Sequence, residues 1–522
     1  MRLQLTHALH RLVQQAPSAT ATVFRGRRRT WRQIAERAAR LAAALQAAGM
    51  RPGDRIGMLA NNSDLYLEYM LGTWWGGGAL NPVNTRWSPA EVVYSLDDCD
   101  THILLIDKHF AGLSDELSKR SKALRTLIYA DAGETPPGML GYEQLLEENN
   151  PIADCECGGG DLAGVFYTGG TTGFPKGVML THESMLSNAL GYLLDLDYTD
   201  DDVILVVPPI FHQAGMCIVL RALLRGCSSV MVELFDPTQV LRLIAEERAS
   251  FTLLVPTMLQ RLLDCPTFKE YDLSSLRRIL YGASPISEAL LERALKALPG
   301  VELSQGYGMT ETSGPYTILP ARYHRLTGDP RDRQRLRSAG RATWGMEMRI
   351  VDIDGEEVPL GQVGEIVSRG AGVMQGYWNR EKETAAALRD GWLHSGDMGF
   401  MDDEGFVYIV DRLKDMIVSG GENVYSAEVE NALGSHPSIA SCAVIGIPSE
   451  RWGEAVHAVV VLRAGARTSA EELREHCKGL IAAYKCPVSV EFRENLPLSG
   501  AGKLLKHVLR EPYWQGHTRR IN

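Results

Sequence analysis

The sequence predicts an α/β protein with a large N-terminal domain of parallel sheets flanked by helices. Short apolar runs such as HILLID (102–107) and VILVVPP (203–209) alternate with helical patterns, which is typical of parallel strands covered by helices. From about residue 341 to 411, short strands and Gly-rich turns indicate a small β-barrel-like unit. A compact helix–strand–strand–helix pattern after residue 415 predicts a small, mobile α+β C-terminal domain.

These patterns predict domain limits and individual elements. The N-terminal domain is expected over 1–411 (roughly 1–160, 161–340 and 341–411), a hinge over 412–415 and the C-terminal domain over 416–522. A capping box over 30–33 begins a helix that ends near Gly49. Buried strands are expected at 55–60, 102–107, 126–130, 203–209, 250–256 and 277–283. The C-terminal domain should contain a helix at 426–434, strands at 441–446 and 456–462, and a capped helix at 469–483.

Composition excludes several classes of function. The 522 residues are 45% apolar and 23% charged, the balance of a soluble globular protein. A net charge of −10 argues against a nucleic-acid partner, which would require a basic face. Nine scattered cysteines lack the spacing of a zinc or redox site, which favours reduced thiols inside a cell. We find neither a signal peptide nor an apolar run long enough to span a membrane, so the expected location is cytoplasmic.

The segment VFYTGGTTGFPKGVML (165–180) contains a glycine- and threonine-rich loop followed by a lysine. We expect this loop to join a strand to a helix and to offer backbone N–H groups, hydroxyls and the charge of Lys176 to a phosphate. It is not a Walker A loop, because Pro175 precedes the lysine and Gly177 follows it. A glycine-rich surface loop without a ligand is the alternative.

The order Tyr-Thr-Gly-Gly-Thr-Thr-Gly-x-Pro-Lys-Gly resembles the phosphate loop of the AMP-forming acyl-CoA synthetase (adenylate-forming) superfamily, of the fatty-acid or aryl-acid CoA ligase type. Gly169 departs from the pattern, since serine is common there. Five further segments resemble motifs of this family in the family's order: YGASPIS (281–287), QGYGMTE (305–311), HSGDMG (394–399), DRLKD (411–415) and PLSGAGKLLK (497–506).

The resemblance implies roles for these residues in binding ATP. Tyr307 would lie against adenine, and Asp397 and Arg412 would contact the ribose. Thr310 would lie near the α-phosphate, and Glu311, with Thr168, would bind Mg²⁺. The residues that would hold the phosphates are Thr168, Gly169, Gly170, Thr171, Thr172, Gly173 and Lys176. Those that would border the nucleotide and acyl pockets are Gly282, Ala283, Ser284, Gln305 and Gly306.

The C-terminal domain would supply the remaining groups. The resemblance places the adenylation lysine at Lys503 and the hinge at Lys414. Gly420 and Gly421 belong to SGGENVY (419–425), which resembles the segment that meets the adenylate during thioester formation. An ordinary Gly-rich turn is the alternative interpretation of that segment.

This set of residues predicts a two-step ligase reaction. A carboxylate is a poor electrophile, so it first attacks the α-phosphate of ATP to form acyl-AMP and pyrophosphate. Two anions must meet in that step, so Mg²⁺ and Lys503 are needed as cations. The thiol of coenzyme A, a co-substrate, then attacks the adenylate carbonyl.

The identity of the acid stays open. His212 in PPIFHQAGM (208–216) stands where the family keeps a gate to the acyl tunnel, and a packed core histidine is the alternative. The residues expected to surround the acid are small or apolar: Ala214, Gly215, Met216, Ala283 and Met309. No lysine or arginine occurs in these segments, which disfavours dicarboxylic acids. A hydrophobic monocarboxylic acid fits, either a fatty acid or an aryl acid such as a hydroxycinnamate.

Two other functions are compatible with the motifs. The acyl group could pass to a carrier protein or another acceptor, but no carrier-type domain is recognised after the small domain, which favours CoA. The fold could also persist as a nucleotide-binding protein without catalysis, against which the intact Glu311 and Lys503 argue. A homodimer is an assembly that the sequence leaves open.

Overall fold

We describe a computed structural model of the chain over residues 2–168, 175–325, 327, 329–420, 422–498 and 504–515. It confirms the predicted α/β class. The helices are α1 His7–Gln15, α2 Trp31–Ala47, α3 Asp64–Trp75, α4 Pro89–Asp98, α5 Ser114–Arg120, α6 Tyr142–Glu148, α7 His182–Asp195, α8 Gln213–Arg225, α9 Pro237–Glu246, α10 Pro256–Leu263, α11 Glu288–Ala297, α12 Pro330–Leu336, α13 Glu381–Ala387, α14 Ser426–Gly434, α15 Ala470–Lys478 and α16 Lys506–Trp514.

The strands are β1 Thr20–Phe24, β2 Arg27–Thr30, β3 Arg55–Leu59, β4 Ala79–Pro82, β5 Ile103–Ile106, β6 Thr126–Tyr129, β7 Leu140–Gly141, β8 Leu162–Thr168, β9 Lys176–Thr181, β10 Val203–Val206, β11 Ser228–Met231, β12 Phe251–Leu254, β13 Arg278–Gly282, β14 Glu302–Met309, β15 Gly314–Leu319, β16 Arg341–Ala342, β17 Met346–Val351, β18 Gly364–Gly370, β19 Gly376–Tyr377, β20 Leu388–Arg389, β21 Trp392–Met401, β22 Val407–Arg412, β23 Ile417–Ser419, β24 Glu422–Val424, β25 Ile439–Ser449, β26 Gly453–Leu462 and β27 Ser489–Phe492. The apolar runs predicted as strands correspond to β3, β5, β6, β10, β12 and β13.

Two large sheets form the bulk of the protein. One has nine strands in the order β16-β15-β14-β13-β12-β10-β11-β1-β2, and the other has eight in the order β19-β9-β8-β4-β3-β5-β6-β7. The central pairs of both sheets are parallel, as predicted, and antiparallel pairs lie toward their ends. The largest core joins the two sheets through α2, α3, α7 and α8, and every residue of α3 is buried.

Two smaller sheets complete the fold. Antiparallel strands β17-β18-β21-β20, with β22 paired to β21, form the predicted small unit. The last sheet has the order β24-β23-β26-β25, and β27 pairs with β26. Helices α14 and α15 share one core with this sheet, while Leu509 of α16 packs in a second core with Ala443 and Ile445 of β25.

Local sequence explains where several helices begin and end. The predicted capping box of α2 is present, because Thr30 accepts from the Gln33 N–H and the Gln33 side chain accepts from the Thr30 N–H. The capping box of α15 is also present at Ser469. The predicted end of that helix at residue 483 is wrong, since α15 ends at Lys478. Gly479 follows, and glycine in a helix interior costs about 1 kcal/mol relative to alanine.

The surroundings of the predicted phosphate loop also differ from expectation. The loop joins β8 to β9, which are antiparallel neighbours, rather than a strand to a helix. The residue described directly after Pro175, Lys176, therefore begins a strand and not a helix. Among the described residues, no helix is both long and apolar enough to cross a membrane.

Candidate active site

A cavity of about 960 Å³ lies between the large sheets and the C-terminal part of the chain. It brings together residues from all six sequence motifs and from the gate segment. The predicted site residues on its wall are Thr168, Lys176, His212, Gly282, Ala283, Gly306, Thr310, Glu311, Asp397, Arg412 and Lys414. Segments separated by more than 200 residues along the chain thus meet around one space.

The two ends of the phosphate loop lie side by side on the cavity wall. Thr168 ends β8 and is paired in register with Lys176, which begins β9, and the Thr168 hydroxyl donates to the Lys176 carbonyl at 3.5 Å. The Lys176 ammonium lies 4.8 Å from the ring centroid of Tyr377. The intervening predicted residues lie outside the described residues: Gly169, Gly170, Thr171, Thr172 and Gly173.

A close approach of two strands forms the wall predicted to border the nucleotide. Gly282 at the end of β13 pairs with Gly306 of β14, and a Cβ on Gly282 would come within 2.1 Å of the Gly306 carbonyl oxygen. Only glycine fits there. Ala283, next along the chain, has a left-handed φ of +64°. Ser284 and Gln305 are not on the cavity wall, and the Gln305 amide oxygen instead accepts from Tyr281 at 3.4 Å.

The residues predicted to hold the adenosine form one hydrogen-bonded group. The Tyr307 hydroxyl donates to the Asp397 carboxylate at 2.7 Å, and the Arg412 Nε lies 3.4 Å from the other oxygen of that carboxylate. Asp397 on β21 is the register partner of Arg412 on β22. Burial, with the charge of Asp397, raises the pKa of Tyr307 well above its usual value, so the phenol stays protonated and donates.

Glu311 also lines the cavity and is held by a residue that sequence reasoning missed. Thr310 and Glu311 form a single 3₁₀ turn after β14, and both are largely buried. The Tyr377 hydroxyl donates to Glu311 at 2.8 Å, and the Met374 N–H donates to the Glu311 carbonyl. Burial raises the pKa of Tyr377, and the negative charge of Glu311 raises it further. Tyr377 therefore remains a donor that orients this carboxylate.

The same residues fit a magnesium ion that is shared with phosphate. The described residues contain no cluster of three or more His, Cys, Asp or Glu side chains suited to a metal. Glu311 and Thr168 both face the cavity, so a metal here would take its remaining ligands from phosphate oxygens and water. Mg²⁺ is commonly bound in this way, by one or two carboxylates and the substrate's phosphates.

His212 has a structural role and also lines the cavity. It is the N-cap of α8, and its Nδ1 accepts from the Ala214 N–H at 3.2 Å. Ala214 and Met309 are also on the wall, as predicted for the acyl pocket. Gly215 and Met216 are not on it: a Cβ on Gly215 would come within 2.3 Å of the Pro209 carbonyl, and Met216 is fully buried in the core.

The C-terminal part of the chain closes the remaining side of the cavity. Residues 413–415 and 504–507 line it. Lys503 lies outside the described residues, directly before this second segment. Burial, with the charge of Arg412, lowers the pKa of Lys414. Gly420 is away from the cavity, where it packs against Trp452, and Gly421 lies outside the described residues.

A buried lysine that sequence reasoning also missed anchors this second segment. The Lys506 ammonium forms an ion pair with Glu430 at 2.7 Å and donates to the Ser426 hydroxyl at 2.5 Å. Burial alone would lower the pKa of Lys506, but the charges of Glu430 and Asp411 raise it. The sequence feature that could have identified Lys506 is its position three residues after Lys503.

Comparison with known proteins agrees with this geometry. The AMP-binding enzyme family model matches residues 9–378, and the AMP-binding enzyme C-terminal domain model matches residues 428–503. The chain is 39% identical over 504 residues to a feruloyl-CoA synthase of Amycolatopsis sp, covering 96% of this chain and 98% of the relative. It is 36% identical over 490 residues to a long-chain-fatty-acid–CoA ligase of Mycobacterium tuberculosis, covering 93% of each.

A solved structure supports the same assignment. The anthranilate CoA ligase AuaEII in complex with anthranoyl-AMP superposes with a TM-score of 0.90 at 25% identity, over 98% of this chain and 97% of that protein. The chain belongs to the AMP-binding enzyme family, and the prediction of an adenylate-forming acyl-CoA synthetase is confirmed.

Proposed function

We propose that this AMP-forming acid–CoA ligase activates a hydrophobic monocarboxylic acid as acyl-AMP and transfers the acyl group to coenzyme A. The observation that carries the proposal is the single cavity that places Thr168 and Lys176, Glu311, the Asp397–Arg412 pair and His212 around one space. The relatives named above act on an aryl acid and on long-chain acids, so both classes remain candidates.

The nucleotide fits the more polar part of the cavity. Gly282 and Gly306 both line the cavity and present backbone, without a side chain, to a flat base. Asp397 and Arg412 offer an acceptor and a donor to the ribose hydroxyls, while Lys176 and the adjoining loop face the phosphates.

Adenylation requires charge neutralisation where two anions meet. A carboxylate oxygen of the acid attacks the α-phosphorus, the bond from this phosphorus to the bridging oxygen breaks, and pyrophosphate leaves. Glu311 and Thr168 would hold Mg²⁺, which would neutralise phosphate charge. Lys503 would supply the second cation, which is supported by the position of residues 504–507 on the cavity wall.

Thioester formation then proceeds at the same carbonyl. The CoA sulfur attacks the acyl carbon, the bond to the AMP oxygen breaks, and the thiol proton passes to solvent. Because residues 504–507 line the cavity in this structure and Gly420 is not on its wall, we assign the present arrangement to the adenylation step. A rotation of residues 416–522 about the predicted 412–415 hinge would exchange these two segments.

Pyrophosphate release and acyl-CoA formation test the proposal with a panel of fatty and hydroxycinnamic acids, each with and without CoA. Acid-dependent pyrophosphate and CoA-dependent thioester are expected. Pyrophosphate release without thioester, together with acylation of a carrier protein, would show that the acyl acceptor is a carrier protein rather than CoA. ATP binding without pyrophosphate release from any acid would establish a non-catalytic protein. The proposed cytoplasmic location and homodimer are tested separately, by cell fractionation and by sedimentation.

A further inference from the structure

Helix α8 carries two buried polar side chains, each with hydrogen-bonding groups that find no partner among the described residues. Gln213 is its first residue and Arg221 lies eight positions later, on roughly the same face of the helix. Eight residues span about 12 Å of helix, and long side chains in helices point back toward the N-terminus. The Arg221 side chain therefore extends from deep in the protein toward the end of α8 that lines the cavity.

Arg221 is fully buried and poorly satisfied. Its guanidinium stacks on Tyr192, 3.9 Å from the ring centroid, and its Nη2 donates to the Asn188 amide oxygen at 3.4 Å. Its Nε and Nη1 have no hydrogen-bond partner among the described residues. A buried cation without a charged partner is costly, so the site favours an electron-rich group nearby.

Gln213, at the N-terminal end of the same helix, is the second unsatisfied group. It lines the cavity wall, yet it is only 3% exposed, and neither its amide nitrogen nor its amide oxygen has a partner among the described residues. A buried amide left unpaired is destabilising, because its lost hydration is not compensated. Both a donor and an acceptor are thus available at the wall.

The wall between the cavity and Arg221 is thin. Gly306 and Gly314 both line the cavity, and a Cβ on Gly306 would come within 2.4 Å of the Tyr192 hydroxyl oxygen. A Cβ on Gly314 would lie 3.6 Å from the Asn188 amide oxygen. Both groups that Arg221 contacts therefore lie directly behind glycines of the wall.

We propose that Gln213, supported from behind by Arg221, forms a polar end of the acyl pocket that recognises an oxygen on the acid distal to its carboxylate. This inference rests on the proposed function and names the substrate class as aryl acids with a ring oxygen. Such an oxygen pairs with the Gln213 amide and lies in the field of the guanidinium. A plain alkyl chain or an unsubstituted ring leaves both groups unpaired. Sites built to hydrogen-bond a substrate oxygen discriminate strongly against analogues that lack it.

The test compares kcat/KM for 4-hydroxycinnamic acid with that for cinnamic acid. We expect the parent to favour the hydroxylated acid at least about 10-fold, and Gln213→Leu and Arg221→Met to bring this ratio close to one while the KM for ATP changes little. Arg225→Met is the matched control, because Arg225 is exposed at the end of the same helix. It should keep the parent ratio.

Two further measurements separate the outcomes. Arg221→Lys retains the charge and should keep part of the preference if Arg221→Met fails to fold. An unchanged ratio in folded Gln213→Leu, or a parent without preference among acids that it converts, would overturn this inference and leave the proposed function intact. Absence of acyl-CoA from every acid would instead overturn the proposed function.

Discussion

The two walls of the cavity are held in different ways. Around the first wall, polar side chains from separate elements hold one another: Tyr307 of β14 donates to Asp397 of β21 at 2.7 Å, and Tyr377 of β19 donates to Glu311, in the turn after β14, at 2.8 Å. On the C-terminal wall, the ion pairs Lys506–Glu430 and Arg510–Asp415 join residues within 411–515. We refer to the first as the fixed wall and to the second as the movable wall, because the ion pairs of the second lie within 411–515 and the proposed hinge would let that part of the chain rotate. We expect the fixed wall to bind ATP. The position of the movable wall should determine whether adenylation or thioester formation takes place.

The largest expected effect follows from Lys503→Ala. Lys503 belongs to the part of the chain that forms the movable wall and is proposed to contact both the carboxylate of the acid and the α-phosphate of ATP. Its loss should therefore slow adenylation on the order of 10²–10³-fold, comparable with removal of an oxyanion donor. Thioester formation from supplied acyl-AMP should survive. Single-turnover assays of each half-reaction measure both effects. Lys478→Ala, an exposed lysine of the same region, is the control. Adenylation at the parent rate would remove Lys503 from the mechanism.

A change on the fixed wall should affect the metal requirement instead. Glu311→Gln keeps an acceptor for the Tyr377 hydroxyl but loses the charge offered to Mg²⁺. We expect adenylation to fall about 100-fold and the Mg²⁺ concentration for half-maximal rate to rise. Tyr377→Phe, which keeps the carboxylate, should cost less than about 10-fold. A magnesium dependence equal to that of the parent would show that Glu311 is not a ligand.

The hinge prediction tests whether the second wall moves. Lys414 lies between Leu413, whose N–H donates to the Gly396 carbonyl, and Asp415, whose N–H donates to the Arg412 carbonyl. Lys414→Pro fixes φ near −65° and removes a backbone donor. Because this structure has residues 504–507 on the cavity wall, trapping it should reduce thioester formation about 10-fold more than adenylation.

Lys414→Ala, which leaves the backbone free to rotate, provides the comparison for that variant. It should affect the two half-reactions to a similar and smaller extent. Equal losses of both activities in Lys414→Pro would mean that the chain does not pivot at this residue.

Sequence reasoning succeeded where the signal is local. Apolar runs identified the strands, and each family motif is a short contiguous segment that the fold brings to the cavity. It failed where partners are distant, because Tyr377 is 66 residues from Glu311 and Lys506 is far from Glu430. It also took β9 for the start of a helix, since a short apolar run does not distinguish the two. Arg221 was missed because it lies beyond the segment searched for basic residues.

The smallest expected effect concerns the acyl pocket, where the structure separates two residues that the sequence grouped. Ala214 lines the cavity, whereas Gly215 packs against the Pro209 carbonyl. Ala214→Leu should therefore shorten the pocket and lower kcat/KM for long or bulky acids about 10-fold relative to short ones, with the KM for ATP nearly unchanged. Gly215→Leu forces a side chain into backbone, so it should lower the unfolding temperature and reduce activity toward all acids alike. Chain-length profiles and thermal unfolding of both variants distinguish these outcomes, and a uniform loss in a destabilised Ala214→Leu would place Ala214 in the fold rather than in the pocket.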